Sequence, residues 1–239
     1  MNIQECDILN AIFTTTNPTQ RSLADCSGHS LGIVNRSIKK LTSDGYLTTT
    51  MQPTDKAIAL YKHSVPQNAI ILAAGFGMRM VPINTETPKG LLEIHGEALI
   101  ERIISQLHEA NIHNIYIVVG FMKEQYEYLI DEYGVTLIVN TDYASKNNLH
   151  SLNLASGYLK NSYIIPCDIW CKDNPFHTHE LYSWYMVSDA QTTESSVRVN
   201  RKMELTAISK TAVGNAMIGI SYLSENDSSY IQQRLSSLD

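Results

Sequence analysis

Residues Ile70 to Lys89 read IILAAGFGMRMVPINTETPK. Ile70, Ile71, Leu72 and Ala73 form an apolar run that passes through Ala74 into two glycines, Gly75 and Gly77. Arg79, Pro82 and a Pro88-Lys89 pair follow. An apolar run ending in a glycine turn reads as a buried parallel strand feeding an open loop, and open α/β sheets bind ligands at that carboxyl end. Without a Cβ, glycines let backbone N–H groups approach a polyphosphate closely. Arg79 and Lys89 supply the cations that a triphosphate needs. A G-x-G pair also occurs in ordinary turns, so the weight falls on the whole spaced string. Asp168 is a second position with chemistry, placed just after the apolar run Tyr163–Pro166 and Cys167. An acid at the tip of a central parallel strand faces the same crevice as the glycine loop. A lone Asp there is equally a turn-former or a helix cap.

The elements that must position these residues alternate strand and helix. Leu91–Ile94 reads as a short strand and His95-Gly96 as a turn. Ala98–Ala110 reads as a helix burying Leu99, Ile103 and Leu107. Tyr116–Val119 is an apolar strand, Lys123–Tyr133 an amphipathic helix and Val135–Val139 a strand. Leu149–Leu159 is a helix, Tyr163–Pro166 a strand, Ala216–Leu223 a strand and Glu225–Leu238 a helix. That rhythm predicts an α/β fold, a Rossmann-like three-layer α/β/α sandwich around a mostly parallel sheet.

The front segment reads differently. Ile3, Ile8, Leu9 and Ile12 have helical spacing, Asn17-Pro18-Thr19 breaks the chain, and a short helix covers Gln20–Cys26. Ser27-Gly28 makes a turn. A third helix over Ser30–Ser43 carries Leu31, Val34, Ile38 and Leu41 on one stripe, and Gly45 caps it before a strand-like wing from Tyr46 to Thr50. A helix over Asp55–Tyr61 ends near Pro66, and residues 63–67 form a short linker. The predicted domains are therefore 1–63 and 68–239.

With 239 residues and 44% hydrophobic content, the chain is long enough for one sizeable core and a small second one. Neither a membrane-length apolar run nor an N-terminal signal pattern is seen. Four cysteines (Cys6, Cys26, Cys167, Cys171) make no disulfide or zinc pattern and read as free thiols of a cytoplasmic protein. The net charge is −6, but residues up to Pro66 hold six Lys/Arg against five acids, leaving −7 for the remainder. The asymmetry suggests two modules with different partners.

The string from Leu72 to Lys89 resembles the signature of nucleotidyltransferases that join an NTP to a sugar phosphate or an alcohol phosphate. GEALIERIISQLHEANIHNIYIVVGFMKEQYEYL, NTDYASKNNLHSLNLA and SYIIPCDIW carry the likeness further, and Asn147-Asn148 with Ser151-Leu152 narrows it to bacterial CTP:phosphocholine cytidylyltransferases. The resemblance implies attack by an acceptor phosphate oxygen on the α-phosphorus of CTP, with pyrophosphate leaving. It places Leu72, Ala73, Ala74, Gly75 and Gly77 around the nucleotide, Arg79 on the β/γ phosphates, and Lys89 between the α-phosphate and the acceptor. Asp168 matches the family's metal-binding aspartate and would hold Mg²⁺, which takes hard oxygen ligands. Asn147, Asn148 and Ser151 lie where the family shapes its pyrimidine pocket.

A choline headgroup calls for an aromatic cage, for which Tyr143, Trp170, Trp184 and Tyr185 are candidates, or else ordinary core residues. Ser195 follows Thr193-Glu194 where the family often has Trp, which leaves 2-aminoethylphosphonate or phosphoethanolamine open as acceptor, with a sugar phosphate as a further rival. The family also continues past this chain's last residue and brings a second acidic metal ligand, so the chain reads as truncated and of low turnover. TQRSLADCSGHSLGIVNRSIKKLTSDGYL resembles the winged helix-turn-helix of bacterial transcription regulators. That implies DNA contact through Ser30, Asn35, Arg36, Lys39 and Lys40, or else a dimerisation or docking module that makes a homodimer. A transcription regulator that uses the nucleotidyltransferase fold as a ligand sensor is the rival from another class.

Overall fold

The computed structural model describes residues 1–77, 86–200, 202–209 and 211–237. Arg79 and Pro82 of the glycine string, and Leu238 and Asp239 at the end, lie outside them. The chain divides into two compact units.

The first unit comprises Met1–Pro66 together with His177–Ser183. Its helices are α1 (Ile3–Thr14), α2 (Gln20–Ser27), α3 (Leu31–Ser43) and α4 (Asp55–His63). Each starts at a side-chain cap: Asn2, Thr19, Ser30 and Thr54 accept hydrogen bonds from the first-turn N–H groups. Gly28 ends α2 with φ +70°, a left-handed turn that suits glycine. Ile8, Leu9, Leu23, Val34, Leu41 and Leu47 form the core. The stripe expected on α3 is present except for Leu31, which is 49% exposed because it stands at the first helical position, outside the turns that face α1 and α2. The expected wing reduces to a single bridge between Leu47 and Pro53.

His177–Ser183 joins this unit through Tyr182, whose hydroxyl donates to Asp7 at 3.0 Å, while His29 Nε2 lies 2.8 Å from the same carboxylate. Tyr61 is stacked between Phe13 at 4.0 Å and His179 at 3.9 Å. Burial in that stack lowers the His179 pKa from the ordinary 6.5, since desolvation disfavours the imidazolium. A group depressed in the folded state adds stability above its unfolded pKa and withdraws it as pH falls through the folded value. His177 moves the other way, raised by its hydrogen bond to Glu180. His179→Phe keeps the stack without the proton site. Its melting temperature should therefore fall less than the wild type's on acidification from about pH 7.5 to about 5.5; an equal fall in both proteins would refute the assignment.

The second unit comprises Gln67–Phe176 and the chain from Trp184 onward. Its strands are β1 (Asn68–Ala73), β2 (Glu93–Ile94), β3 (Glu97–Ala98), β4 (Asn114–Val119), β5 (Thr136–Val139), β6 (Ser162–Pro166), β7 (Trp184–Thr192), β8 (Val197–Val199), β9 (Leu205–Ala207) and β10 (Gly214–Leu223). Its helices are α5 (Leu99–Glu109), α6 (Tyr128–Tyr133), α7 (Asn148–Leu154) and α8 (Glu225–Leu235). The main sheet has the order β5-β4-β1-β6-β10-β7. The first four strands are parallel; β10 runs antiparallel to β6, and β7 antiparallel to β10.

Alternation along β1 separates two cores. Ala69, Ile71 and Ala73 pack with Ile100, Ile104 and Leu107 of α5, while Ile70 and Ala74 pack with Leu152 of α7 and Leu235 of α8. Helices thus cover both faces, which is why the central strands read as continuous apolar runs. The main departures from the sequence reading lie at this unit's margins. Residues 123–126 and 156–158 are 3-10 turns rather than helix, the strand expected over Leu91–Ile94 begins as a 3-10 turn, and β7, β8 and β9 were not foreseen. Strand β7 opens on the apolar residues Trp184–Val187 but is only half-buried there and runs on into the exposed Asp189, Ala190 and Gln191, so neither a buried run nor a clean alternation marks it.

Candidate active site

Parallel β1, β4, β5 and β6 deliver their carboxyl ends to one edge of the sheet, and the chemistry-bearing residues gather there. At the end of β1, Leu72 and Ala73 sit in the sheet, Ala74 is buried and Gly75 is exposed. A Cβ on Gly75 would meet nothing within 4 Å, so the space beside this backbone is open. Gly77 has φ +69°, a turn conformation that favours glycine. The root of this loop is tied to the end of β4, where the Phe121 N–H donates to the Ala74 carbonyl at 3.1 Å and Phe76 packs edge-on to Phe121 at 4.5 Å. Arg79 was assigned from the sequence to the leaving phosphates and falls in the stretch outside the described residues.

The Pro88-Lys89 pair returns the chain to the same edge. Pro88 is buried and precedes a 3-10 turn over Lys89–Leu91. A Cβ on Gly90 would come 3.1 Å from the Tyr126 hydroxyl and 3.2 Å from the Cys167 Cβ, so glycine lets this turn lie flat on both. Lys89 is thereby delivered next to Asp168, with Nζ 2.9 Å from Oδ2, and the two side chains remain 22% and 34% exposed. Two residues 79 positions apart, each singled out from sequence, meet at the end of β6. Burial pushes the thiol of the neighbouring Cys167 up to about 12, which disfavours its thiolate.

Asn147 caps α7, its Oδ1 accepting from the Leu149 N–H at 3.0 Å and the His150 N–H at 3.4 Å. With Lys146, His150 and Asn153 it also lines a cavity of about 340 Å³. Asn148 is the first residue of α7 and is exposed. Ser151 is 4% exposed, and its hydroxyl receives a hydrogen bond from Asn140 Nδ2 at 3.0 Å. Asn140 was not foreseen. It is 1% exposed, and besides Ser151 it takes the Asp142 N–H on its side-chain oxygen, ordering the turn after β5. An asparagine directly after an apolar strand was the available signal.

The aromatic candidates fall in three places, and no ring contact joins them among the described residues. Tyr143 lies by Phe121 with centroids 6.4 Å apart, Trp170 is flanked by His95 at 5.5 Å and the Arg102 guanidinium at 5.7 Å, and Trp184 is edge-on to Tyr163 at 5.9 Å. Trp184 thus extends the core under β6, with Tyr185 beside it on β7. In the helical unit Ser30 is the cap of α3, Asn35 donates to Gln20 at 3.3 Å, Arg36 to Gln4 at 3.2 Å, and Lys40 pairs with Asp44 at 2.8 Å. Lys39 is exposed.

Among the described residues, Asp168 offers a divalent metal a carboxylate at the site. Among the described residues no group of three or more His, Cys, Asp or Glu could cage an ion. One hard oxygen donor at an open strand end suits Mg²⁺ arriving with phosphates, because that ion takes few protein ligands and completes its shell from phosphate and water.

Residues 69–200, more than half of the chain, match the profile of the MobA-like NTP transferase domain. The chain belongs to that family. Over 118 residues this NTP transferase domain is 44% identical to a choline-phosphate cytidylyltransferase of Haemophilus influenzae, covering 49% of the chain and 51% of the relative. It is 42% identical over 102 residues to a 2-aminoethylphosphonate cytidylyltransferase of Lancefieldella rimae, covering 42% of each. The match spans about half the length of these curated relatives. Among solved structures, the CTP:phosphocholine cytidylyltransferase of Streptococcus pneumoniae superposes with a TM-score of 0.67 at 34% identity, over 72% of this chain and 77% of the other. The inositol-1-phosphate CTP transferase of T. maritima, at 18% identity and a TM-score of 0.52 over 70% and 74%, shares the fold. No described helix is long and apolar enough to cross a membrane.

Proposed function

We propose that this NTP transferase domain moves CMP from CTP to a small phosphate or phosphonate, with phosphocholine as the first candidate acceptor and 2-aminoethylphosphonate as the second. The observation that carries the reading is the Lys89–Asp168 pair at the sheet edge where the glycine loop begins. The relatives named above, a choline-phosphate and a 2-aminoethylphosphonate cytidylyltransferase, support the choice of nucleotide and the order of acceptors.

The chemistry asks for no side-chain nucleophile and no general base, because the acceptor phosphate is already anionic. Its oxygen forms a bond to the α-phosphorus of CTP as the bond to the bridging oxygen of the β-phosphate breaks, and the electron pair leaves with pyrophosphate. Catalysis then consists of positioning and charge neutralisation. Lys89 bridges the α-phosphate and the incoming phosphate, exchanging its contact with Asp168 for phosphate oxygens. Backbone N–H groups at Gly75 and Gly77 hold the polyphosphate, and Arg79 takes the leaving group. Asp168 would hold Mg²⁺, which supplies a counter-charge for the phosphates when bound. Tyr143 is the better of the aromatic candidates for the acceptor: the guanidinium beside Trp170 would repel a quaternary ammonium.

Thermal stabilisation by CTP, UTP, dTTP, ATP and GTP with Mg²⁺ tests this directly. A ligand at about 100 times its Kd stabilises by about 2.7 kcal/mol, enough for a clear shift. CTP alone should raise the melting temperature, and Asp168→Ala should reduce the shift. No shift with any nucleotide refutes the reading.

For the helical unit, the Gly28 turn between α2 and α3 and the exposed Arg36, Lys39 and Lys40 favour a helix-turn-helix that contacts DNA. A CTP-dependent change in affinity for a selected operator would make the protein a ligand-sensing regulator. DNA affinity no better than that of an Arg36→Ala, Lys39→Ala variant would leave the unit a docking module.

A further inference from the structure

The segment that follows Asp168 has no ladder of its own, since residues 167–176 are irregular. Helix α5 holds it instead. Arg102 donates from Nε to the Cys171 carbonyl at 3.3 Å and from Nη2 to the Lys172 carbonyl at 2.6 Å. One turn further along, Gln106 Nε2 donates to the same Cys171 carbonyl at 3.0 Å. Gln106 is 2% exposed on the face of α5 that also buries Ile103 and Leu107. A buried amide costs free energy unless it is hydrogen-bonded, so a glutamine among leucines and isoleucines points to the partner it serves. The main-chain carbonyl of Gln106 accepts from Asn174 Nδ2 at 2.7 Å, and that Asn174 amide also reaches the Glu109 carboxylate at 3.0 Å. The Arg102 guanidinium is steadied by Glu97 at 3.6 Å and lies beside Trp170.

We infer that Arg102 and Gln106 are positioning residues for the proposed reaction. By gripping the carbonyls of Cys171 and Lys172 they fix the Asp168 carboxylate against Lys89 and set the plane of Trp170. The inference rests on the reading of Lys89 and Asp168 given above. A carboxylate at a strand end is anchored from one side by the sheet, and its other side swings unless the outgoing chain is held. Misplacement by about 1 Å costs on the order of 100-fold in rate. Arginine suits the grip because its planar fork reaches two carbonyls in fixed geometry, whereas a lysine offers a single point.

The chain has two tryptophans, so Trp184→Phe leaves Trp170 as the sole reporter on this segment. In that background, Arg102→Ala and Gln106→Met should both make Trp170 more accessible to acrylamide quenching. In the otherwise wild-type protein the same substitutions should lower kcat by about 10- to 100-fold. KM for CTP should stay within about twofold, as expected when ground-state nucleotide binding is kept. Arg102→Lys should recover part of both effects. Greater quenching with unchanged kcat would overturn the inference, and so would lowered kcat with unchanged quenching. Absence of CTP turnover in the wild-type protein with every acceptor would instead overturn the functional reading, and the catalytic part of this inference with it.

Discussion

Lys89→Met is expected to lower kcat for CMP transfer by about 100- to 1,000-fold, the range seen when one preorganised charge-stabilising donor is removed from a site. Its melting temperature should hardly change. The two effects separate because the Lys89–Asp168 pair is 22% and 34% exposed, and a pair so open to solvent contributes only about 0–1 kcal/mol to folding. Asp168→Asn keeps the shape of its partner while removing the charge. Because the two residues serve one charge-neutralising unit, the double variant should lose less than the product of the single losses. Steady-state kinetics with CTP and phosphocholine, beside thermal unfolding of each variant, reads both quantities. Full turnover in Lys89→Met would remove the central residue from the proposed mechanism. A large loss of stability with a proportional loss of rate would make the pair structural.

Gly120→Ala is expected to destabilise the protein by about 1–3 kcal/mol, as overpacking does. The new Cβ would come 2.7 Å from the Tyr143 Cβ and 2.8 Å from the Ala74 carbonyl oxygen. Two effects oppose each other here. Replacing glycine restricts the unfolded chain and would stabilise by about 0.4–1 kcal/mol were the native site roomy. Those two atoms are the stiff root of a side chain and backbone, neither of which yields cheaply, so the clash wins. Because Ala74 starts the glycine loop, the substitution should also weaken stabilisation by CTP. Gly75→Ala makes the contrast. Its Cβ meets nothing within 4 Å, so folding should be stabilised slightly, by about 0.4–1 kcal/mol, while the methyl group enters the space assigned to the polyphosphate and should reduce the CTP shift. Equal behaviour of the two variants in melting temperature would refute the packing account. A full CTP shift in Gly75→Ala would move the phosphates elsewhere.

Much of the fold was legible because burial writes itself into local composition. Strands β1, β4 and β6 are covered on both faces and so appear as continuous apolar runs, and α5 shows its buried stripe at helical spacing. Gly75, Gly77 and Lys89 stood out in the sequence as one spaced string and Asp168 through its likeness to a family position, and of these the structure brings Lys89 and Asp168 into contact. The antiparallel margin was not. Half-buried β7 mixes polar and apolar residues, and its pairing with β10 depends on chain more than twenty residues away. Nor could the sequence assign residues 177–183 to the helical unit, since Tyr182 and Asp7 are 175 positions apart.

The sequence by itself therefore determined the layered α/β class, the crevice-bearing edge and the residue types brought to it. Only the tertiary structure decided which of them meet. It set Lys89 beside Asp168 through a glycine flat enough to lie on Tyr126, made Ser151 a partner of Asn140, packed Trp184 against the core, and revealed that Arg102 and Gln106 hold the chain beyond Asp168. Propensity and periodicity act over a few residues. Contacts across dozens of residues arise from the packing of whole elements, which no local pattern records.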